Sequence, residues 1–203
     1  IQLGVEPAGN ELLYGLHDAL DQADLERAAD EVAALERVSP EAADQAMRVL
    51  TERLIDEYPE VRCALVHRNA FELLAATILS AQCTDERVNM VTPVLFSRYP
   101  TPDDLMHADP TELEEIMRTT GFFASKAKNL IGMATNVVVR FDGEVPQSLE
   151  DLVSLPGVGR KTANVVRSVA FGLPDLPVDT HVGRLARRLG LTEQDDPVKV
   201  ELE

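Results

Sequence analysis

The strongest constraint on the fold of this chain is the segment at positions 155–163, LPGVGRKTA. Its leucine and Pro156 end one predicted helix, and the basic pair that includes Lys161 begins the next helix. Gly157 and Gly159 lie one residue apart between the two helices, which indicates a hairpin too tight for a Cβ atom. Such a hairpin presents backbone N–H groups and the positive end of a helix at one point in space. That arrangement suits a phosphate group, and because the donors are backbone groups, the contact would not read base sequence.

Lys161 lies eighteen positions before Asp179, which belongs to the segment 178–181, VDTH. The lysine could be ordinary phosphate-binding charge, or it could be a nucleophile that forms a Schiff base once its amine has lost a proton. A carboxylate beside an ammonium would hold that proton on the lysine rather than release it. The expected work of Asp179 is therefore to stabilise cationic character at the reacting carbon and to move protons around the amine.

The composition and the spacing of apolar residues together predict an all-α globular protein. The chain has 203 residues, of which 45% are hydrophobic, enough for one or two domains. We find no apolar run that could span a bilayer, no signal peptide and no strand-like alternation, and we expect no membrane partner. Two cysteines, Cys63 and Cys83, are too few for a disulfide framework, so a reducing cytoplasm is the expected compartment. Apolar residues recur at helical spacing, for example at Leu130, Ala134, Val137, Val138 and Phe141.

The formal net charge of −16 is unusual for a protein that binds a phosphate-rich polymer. The distribution of the charged residues along the chain removes most of this objection to phosphate binding. Residues 1–60 carry 15 acidic and 4 basic side chains, residues 61–154 carry 13 and 8, and residues 155–203 carry 7 of each. Basic residues outnumber acidic ones between positions 155 and 190, which predicts a locally basic surface around the hairpin. These basic residues are Arg160, Lys161, Arg167, Arg184, Arg187 and Arg188.

The hairpin and the spacing of Lys161 and Asp179 strongly resemble the endonuclease III family of DNA glycosylases with abasic-site lyase activity, part of the helix-hairpin-helix glycosylase superfamily. The resemblance begins near Ala42 and covers most of the chain. An ordered set of motifs is far more specific than a pair of glycines alone. The other segments that carry the resemblance are 71–74 (FELL), 79–85 (LSAQCTD), 120–123 (TGFF), 125–127 (SKA), 143–146 (GEVP) and 178–181 (VDTH).

The resemblance implies a helix-hairpin-helix DNA glycosylase fold of two α-helical lobes with a DNA-binding cleft between them. Residues 63–173 would form a helical barrel lobe that contains the hairpin. An incomplete second lobe would combine residues 42–62 with residues 174–203, and the lysine and the aspartate would face each other across the cleft. Residues 1–41 lie outside the resemblance, and their acidic, helically spaced pattern predicts a short helical extension.

The resemblance also implies roles for residues outside the hairpin. Gln82 matches a glutamine that fills the gap left by a flipped nucleotide, and Phe122 matches an apolar wedge between bases. Ser80 and Asp85 match polar residues near the base pocket, and His181 would orient the aspartate or contact a phosphate. The remaining residues expected at the DNA are Leu155, Pro156, Gly157, Val158, Gly159, Arg160, Thr162 and Lys126.

Structural interpretations of these residues stay open. Gln82 could simply end a helix, and Phe122 could pack in the core, where Phe123 is expected. Asp85 follows Thr84 at a predicted helix start, where acidic residues are favoured by capping and by the helix dipole.

The ends of the chain predict a fragment truncated at its C-terminus, because it begins with Ile1 and stops at Glu203, in the first predicted turns of a helix after Pro197. Members of the family usually continue into a four-cysteine loop that binds a four-iron four-sulfur cluster. Cys63 and Cys83 cannot supply four thiolates. We expect no metal or cofactor within this chain, and the 4Fe-4S cluster only with the missing C-terminal segment.

The implied activity is that of a bifunctional DNA glycosylase and abasic-site lyase, which acts on damaged pyrimidines in base excision repair. Lys161 would attack C1′ with the help of Asp179, and the Schiff base would undergo β-elimination. A pyrimidine-dimer glycosylase stays open, as does an adenine-mismatch glycosylase, which usually lacks a lysine at this position. A non-enzymatic helix-hairpin-helix DNA-binding module would need only the two glycines. The expected partner is double-stranded DNA with damaged bases or abasic sites, bound by a monomer at a prokaryotic nucleoid.

Overall fold

The computed structural model describes residues 62–188 and 190–203, together with Arg48, Glu52, Arg53, Ile55 and Asp56. Those five separate positions are helical. The acidic extension predicted for residues 1–41 lies outside the described residues, as does most of the 42–62 segment of the predicted second lobe. All regular secondary structure in the described part of the chain is helical, which confirms the predicted all-α class.

The described helices are mostly begun by short polar side chains, which accept a hydrogen bond from a first-turn N–H group. Thr84 does so for the second helix and Ser148 for the sixth, while Thr101 and Asp104 form a reciprocal capping box at the third. The elements are α1 (Ala70–Ser80), α2 (Asp85–Arg98), α3 (Pro102–Met106), α4 (Pro110–Met117), a 3-10 turn (Arg118–Thr120), α5 (Phe123–Phe141), α6 (Leu149–Val153), α7 (Arg160–Phe171), α8 (Thr180–Arg188) and α9 (Pro197–Leu202).

The chain divides into two compact units. One is formed by residues 64–173, and the other by residues 174–203 together with the segment up to Cys63. The first unit contains α1 to α7, and in the second unit α8 packs against α9. The hairpin therefore lies in the first unit and Asp179 in the second.

Helix α1 is the centre of the 64–173 unit, because every residue from Phe71 to Leu79 is buried. A helix that is apolar on all sides must be surrounded by other elements, and α2, α5 and α7 pack against this one. Glu72, which is only 1% exposed, is the charged exception. Its carboxylate forms an ion pair with Arg68 and also accepts the Arg68 backbone N–H at 2.8 Å, so the buried charge is paired.

Helix α5 carries the predicted apolar stripe. Leu130, Ala134 and Val137 are fully buried, whereas Val138 and Phe141 are half-buried at the edge of the stripe. Helices α3 and α4 cover one side of α5. This long helix is important for the site because residues of its first half pack against the hairpin and donate to the last turn of α1.

Candidate active site and DNA interface

The hairpin is a four-residue turn followed at once by α7. The Val158 N–H donates to the carbonyl of Leu155 at 3.1 Å, and Gly157 between them has φ +80°. Proline at the second position and a positive-φ glycine at the third are typical of a type II turn. Leu155 and Val158 are buried, so their side chains anchor the hairpin in the core and leave only their backbone for a DNA contact.

The two hairpin glycines are needed for different reasons. A Cβ atom at Gly157 would lie 2.9 Å from the Cβ of Asn129 on α5, and on the same helix a Cβ at Gly132 would lie 3.1 Å from Pro156. The backbone of the hairpin thus packs closely against α5 at Gly157, as the sequence predicts. Gly159 does not fit that prediction, because its φ is −90° and a Cβ there would meet nothing within 4 Å. The space at Gly159 is open to solvent rather than filled by the protein.

Gly159 is also the N-cap of α7 and has no side chain that could cap the helix. The first turn of an α-helix has N–H groups without intrahelical acceptors, and the helix dipole makes this end positive. An anion at this point therefore gains both hydrogen bonds and electrostatic stabilisation. The geometry supports a phosphate site whose access depends on the missing Cβ of Gly159.

Lys161 lies in that first turn and its side chain is exposed to solvent. Its neighbours Arg160 and Thr162 are half-buried. The amine is thus within one helical turn of the open surface at Gly159, where a bound DNA backbone would lie. A nucleophile at this position would be aligned by the same contacts that bind the phosphate.

Asp179 caps the start of α8. Its Oδ1 atom accepts the backbone N–H groups of His181 and Val182, each at 2.9 Å. Asp179 therefore has a structural role as a helix cap, and the two hydrogen bonds also fix the position of its carboxylate. His181 is exposed, and its Nδ1 lies 3.5 Å from the Arg184 guanidinium. The approach of Asp179 to Lys161 across a cleft stays a prediction.

A cavity of about 230 Å³ brings together four of the predicted residues, Gln82, Phe122, Gly157 and Lys126. It lies entirely within the 64–173 unit, between the loop after α1, the start of α5 and the hairpin. Its other lining residues are Ile78, Ala81, Ser125 and Asn129. Asn129 was not identified as a site residue from the sequence. The signal that could have revealed it is its position on α5, three residues before Gly132.

Gln82 and Phe122 both have backbone conformations that are uncommon for residues with side chains. Their φ angles are +54° and +48°, in the left-handed region. Gln82 is exposed, and Phe122 is 67% exposed, so Phe122 does not pack in the core. Phe123, expected in the core, is only half-buried, with the guanidinium of Arg118 6.0 Å from its ring centroid. A large exposed apolar side chain on a strained backbone is consistent with a wedge that enters DNA.

Lys126 does not lie where a phosphate contact would need it. Its side chain is buried, and its ammonium donates to the carbonyls of Leu79 at 2.8 Å and Thr120 at 2.7 Å. Burial lowers the pKa of Lys126 below its ordinary value, while Cys83 acts in the opposite direction. The prediction of a phosphate contact is therefore wrong for Lys126, which instead connects the last turn of α1 to the 3-10 turn.

Ser80 and Asp85 do not line the cavity. The Ser80 hydroxyl donates to the Thr77 carbonyl at 3.0 Å, within its own helix. Asp85 is the first residue of α2, and the cap of that helix is Thr84, whose hydroxyl accepts the Arg87 N–H. A carboxylate near a helix start is favoured by the helix dipole, and a role of Ser80 and Asp85 near a base pocket stays a prediction.

The basic surface predicted between positions 155 and 190 is smaller than the sequence suggests. Arg167 donates to the carbonyl of Gln147, and Arg187 lies 3.4 Å from a carboxylate oxygen of Asp195. These contacts engage both side chains with the protein itself. Lys161 and Arg188 are exposed, and cations at the surface are the groups that contribute to binding a polyanion.

The residues of the chain do not fit an iron–sulfur cluster, since four thiolates are needed and the sequence has two cysteines. Both are half-buried, and neither forms a disulfide with the other in the described part of the chain. The described residues also contain no group of three or more metal-binding side chains. Among the described helices, none has the length and apolar character that crossing a bilayer requires.

Comparison with known proteins gives consistent matches. A family model for "HhH-GPD superfamily base excision DNA repair protein" matches residues 75–203. Endonuclease III of Synechocystis sp. is 57% identical over 145 residues, which are 71% of this chain and 66% of that protein. The solved structure of a non-covalent endonuclease III–DNA complex matches with TM-score 0.71 and 46% identity, over 78% of this chain and 74% of that one.

A further solved structure, a trapped endonuclease III–DNA covalent intermediate described as an estranged-adenine complex, matches with TM-score 0.71 and 47% identity, over 78% of this chain and 75% of that one. The chain therefore belongs to the endonuclease III family, within the HhH-GPD superfamily of base excision DNA repair proteins. It spans about two thirds of the length of the Synechocystis relative. The family and the helix-hairpin-helix fold predicted from the sequence are both confirmed.

Proposed function

We propose that this protein is a bifunctional DNA glycosylase and abasic-site lyase, which removes damaged pyrimidines from double-stranded DNA in base excision repair. The observation that carries the proposal is the position of Lys161, one helical turn from the open phosphate site at Gly159. A non-enzymatic DNA-binding hairpin has no need of a nucleophile there. The trapped covalent complex of a 47% identical relative supports covalent chemistry on DNA.

The reaction begins when the damaged nucleotide leaves the base stack, because C1′ is inaccessible inside the duplex. The neutral amine of Lys161 forms a bond to C1′ as the bond from C1′ to the base breaks, and the base departs with its electron pair and then takes up a proton. Lys161 is exposed in the DNA-free protein. Exclusion of water from the amine therefore depends on the bound DNA.

The sugar ring then opens to a Schiff base between C1′ and the lysine nitrogen. Loss of a proton from C2′ breaks the bond between C3′ and its phosphate oxygen, which cuts the strand on the 3′ side of the lesion. We assign proton transfers around the amine, and stabilisation of positive charge at C1′, to the Asp179 carboxylate. Its two backbone hydrogen bonds hold the group at the start of α8.

Gln82 and Phe122 act on the duplex rather than on the reacting sugar. We assign to Gln82 the filling of the gap left by the flipped nucleotide, and to Phe122 the separation of neighbouring bases. Both adjoin the cavity at the base of the hairpin. The protein would act as a monomer on DNA in the cytoplasm of a prokaryotic cell.

Borohydride trapping on a duplex with one abasic site tests the proposal. The wild-type chain should form a covalent adduct, and Lys161→Gln should form none while it still binds the duplex within about 3-fold, since one phosphate contact of several is lost. Lys128→Gln is the matched control, because it removes an equal charge from an exposed position on α5. An undiminished adduct with Lys161→Gln would assign the nucleophile to another residue, and no adduct with the wild-type chain would contradict the lyase.

A further inference from the structure

Lys126 connects two segments that are far apart in sequence. Its ammonium bonds to the carbonyl of Leu79, in the last turn of α1, and to the carbonyl of Thr120, at the end of the 3-10 turn. Last-turn carbonyls have no partner within their helix, so a donor from elsewhere satisfies them. The two bonds join the end of α1 to the start of α5 through one side chain that is only 4% exposed.

Each of the two carbonyls lies just before a residue that adjoins the cavity. Leu79 precedes Gln82 by three residues, and Thr120 precedes Phe122 by two. Gln82 and Phe122 each occupy the left-handed region, a conformation that persists only where surrounding contacts enforce it. The ammonium of Lys126 links the end of α1 to the end of the 3-10 turn. The first leads into the loop that contains Gln82 (the Gln82 loop), and the second leads into the residues around Phe122 (the Phe122 loop).

A buried ammonium is a costly way to fill space. Desolvation penalises the charge, and an apolar side chain of similar length would pack into the same volume without that penalty. The burial of Lys126 is therefore better explained by the geometry that its bonds impose than by a gain in stability. Lys126 also lines the same cavity as Gln82 and Phe122, so the link and the two exposed side chains belong to one site.

We propose that Lys126 is a positioning residue, which holds the Gln82 loop and the Phe122 loop at a fixed separation so that both side chains enter the duplex together. This inference rests on the proposed function, since it assumes that the two side chains enter DNA. Lys126 itself touches neither the reacting sugar nor the phosphates. Its effect should appear only on duplex substrates.

The test compares Lys126→Met with the wild-type chain on two substrates. The rate of trapping on an abasic site in a duplex should fall about 10- to 100-fold, as expected when charged hydrogen bonds that orient a group are lost. On a single-stranded abasic oligonucleotide, where no stack is opened, the rate should stay within about 3-fold. Lys126→Arg retains charge and donors and should recover part of the duplex rate. Lys128→Met, which removes a charge from the exposed side of the same helix, should change neither rate.

A double-mutant cycle separates positioning from a general loss of structure. In a chain that already carries Gln82→Ala and Phe122→Ala, Lys126→Met should reduce the duplex rate by less than about 3-fold, because its effect passes through the two absent side chains. If Lys126→Met does not fold, Lys126→Gln, whose amide can still donate to one carbonyl, replaces it in the cycle.

Three results would overturn the inference: equal losses on the two substrates, an undiminished duplex rate, or additive losses in the cycle. A wild-type chain that traps neither substrate would contradict the proposed function itself. The two failures are therefore distinguishable.

Discussion

Alanine substitutions at the two hairpin glycines should affect different properties: Gly157→Ala should lower the stability of the protein, and Gly159→Ala should weaken its binding to DNA. At Gly157 the φ of +80° costs an L-residue about 1–2 kcal/mol. The new Cβ, 2.9 Å from the Cβ of Asn129, adds about 1–3 kcal/mol of overpacking. Alanine also lowers the conformational entropy of the unfolded chain relative to glycine, which stabilises the folded protein by about 0.4–1 kcal/mol. The expected loss is centred near 3 kcal/mol, or about 6–12 °C in melting temperature for a chain of this size.

Gly159→Ala has none of these costs, because the φ of Gly159 is −90° and no atom lies within 4 Å of the new Cβ. The entropic gain is offset by a slightly poorer N-cap, so the stability should stay within about 1 kcal/mol of wild type. The methyl group would instead stand between α7 and the DNA backbone. Loss of one charge-assisted hydrogen bond weakens binding about 10- to 100-fold, alike for abasic and undamaged duplex.

The assays are thermal unfolding by circular dichroism and duplex binding by fluorescence anisotropy, at one salt concentration because phosphate contacts depend strongly on salt. Gly157→Ala should be measured below its lowered melting temperature. Wild-type duplex affinity in Gly159→Ala would refute the phosphate site, and wild-type stability in Gly157→Ala would refute the close packing against α5. A loss confined to abasic DNA in Gly159→Ala would place the hairpin at the lesion instead.

Three further substitutions test single side chains. Asp179→Asn retains an oxygen that can accept both cap hydrogen bonds, so we expect unchanged melting and a lyase rate lower by about 10²-fold or more; a wild-type rate would leave the residue as a helix cap alone. Gln82→Ala should reduce trapping on a lesion duplex more than binding to undamaged duplex, and equal losses by the two assays would count against gap filling. Glu72→Gln removes the charge of a buried carboxylate that is paired with the exposed Arg68, and the weaker hydrogen bonds to it should lower the free energy of unfolding in a urea titration; unchanged stability would mean that the charge of Glu72 contributes little.

The parts of the site that sequence predicts well are those governed by local rules. A proline followed by a glycine in 155–163 predicts the turn and the start of α7, because both depend on neighbouring backbone angles. The spacing of Lys161 and Asp179 identifies the two candidate catalytic residues, but not the distance between them. The helical class follows from apolar spacing, as on α5.

The parts that sequence misses depend on contacts between distant residues. Lys126 has the pattern of a surface lysine, and its acceptor at Leu79 is 47 residues away. A Cβ at Gly157 would meet Asn129, whereas a Cβ at Gly159 would meet no protein atom within 4 Å. This difference depends on the position of Asn129 in the fold, which local sequence does not predict. Positive φ angles at Gln82 and Phe122 are equally hidden, because neither residue type favours them.

The left-handed backbone at Gln82 and Phe122 has a consequence for the search along a chromosome. Nearly every base pair that a repair protein meets is intact, so the duration of each fruitless encounter limits how much DNA it can survey. A loop that had to become ordered at each encounter would lose conformational entropy each time. Here the two exposed side chains stand on backbone that is already bent and bonded in the DNA-free protein. Under the proposed function, opening the duplex would be the main remaining cost of the probing step, and the protein would then sense the local weakness of a damaged base pair.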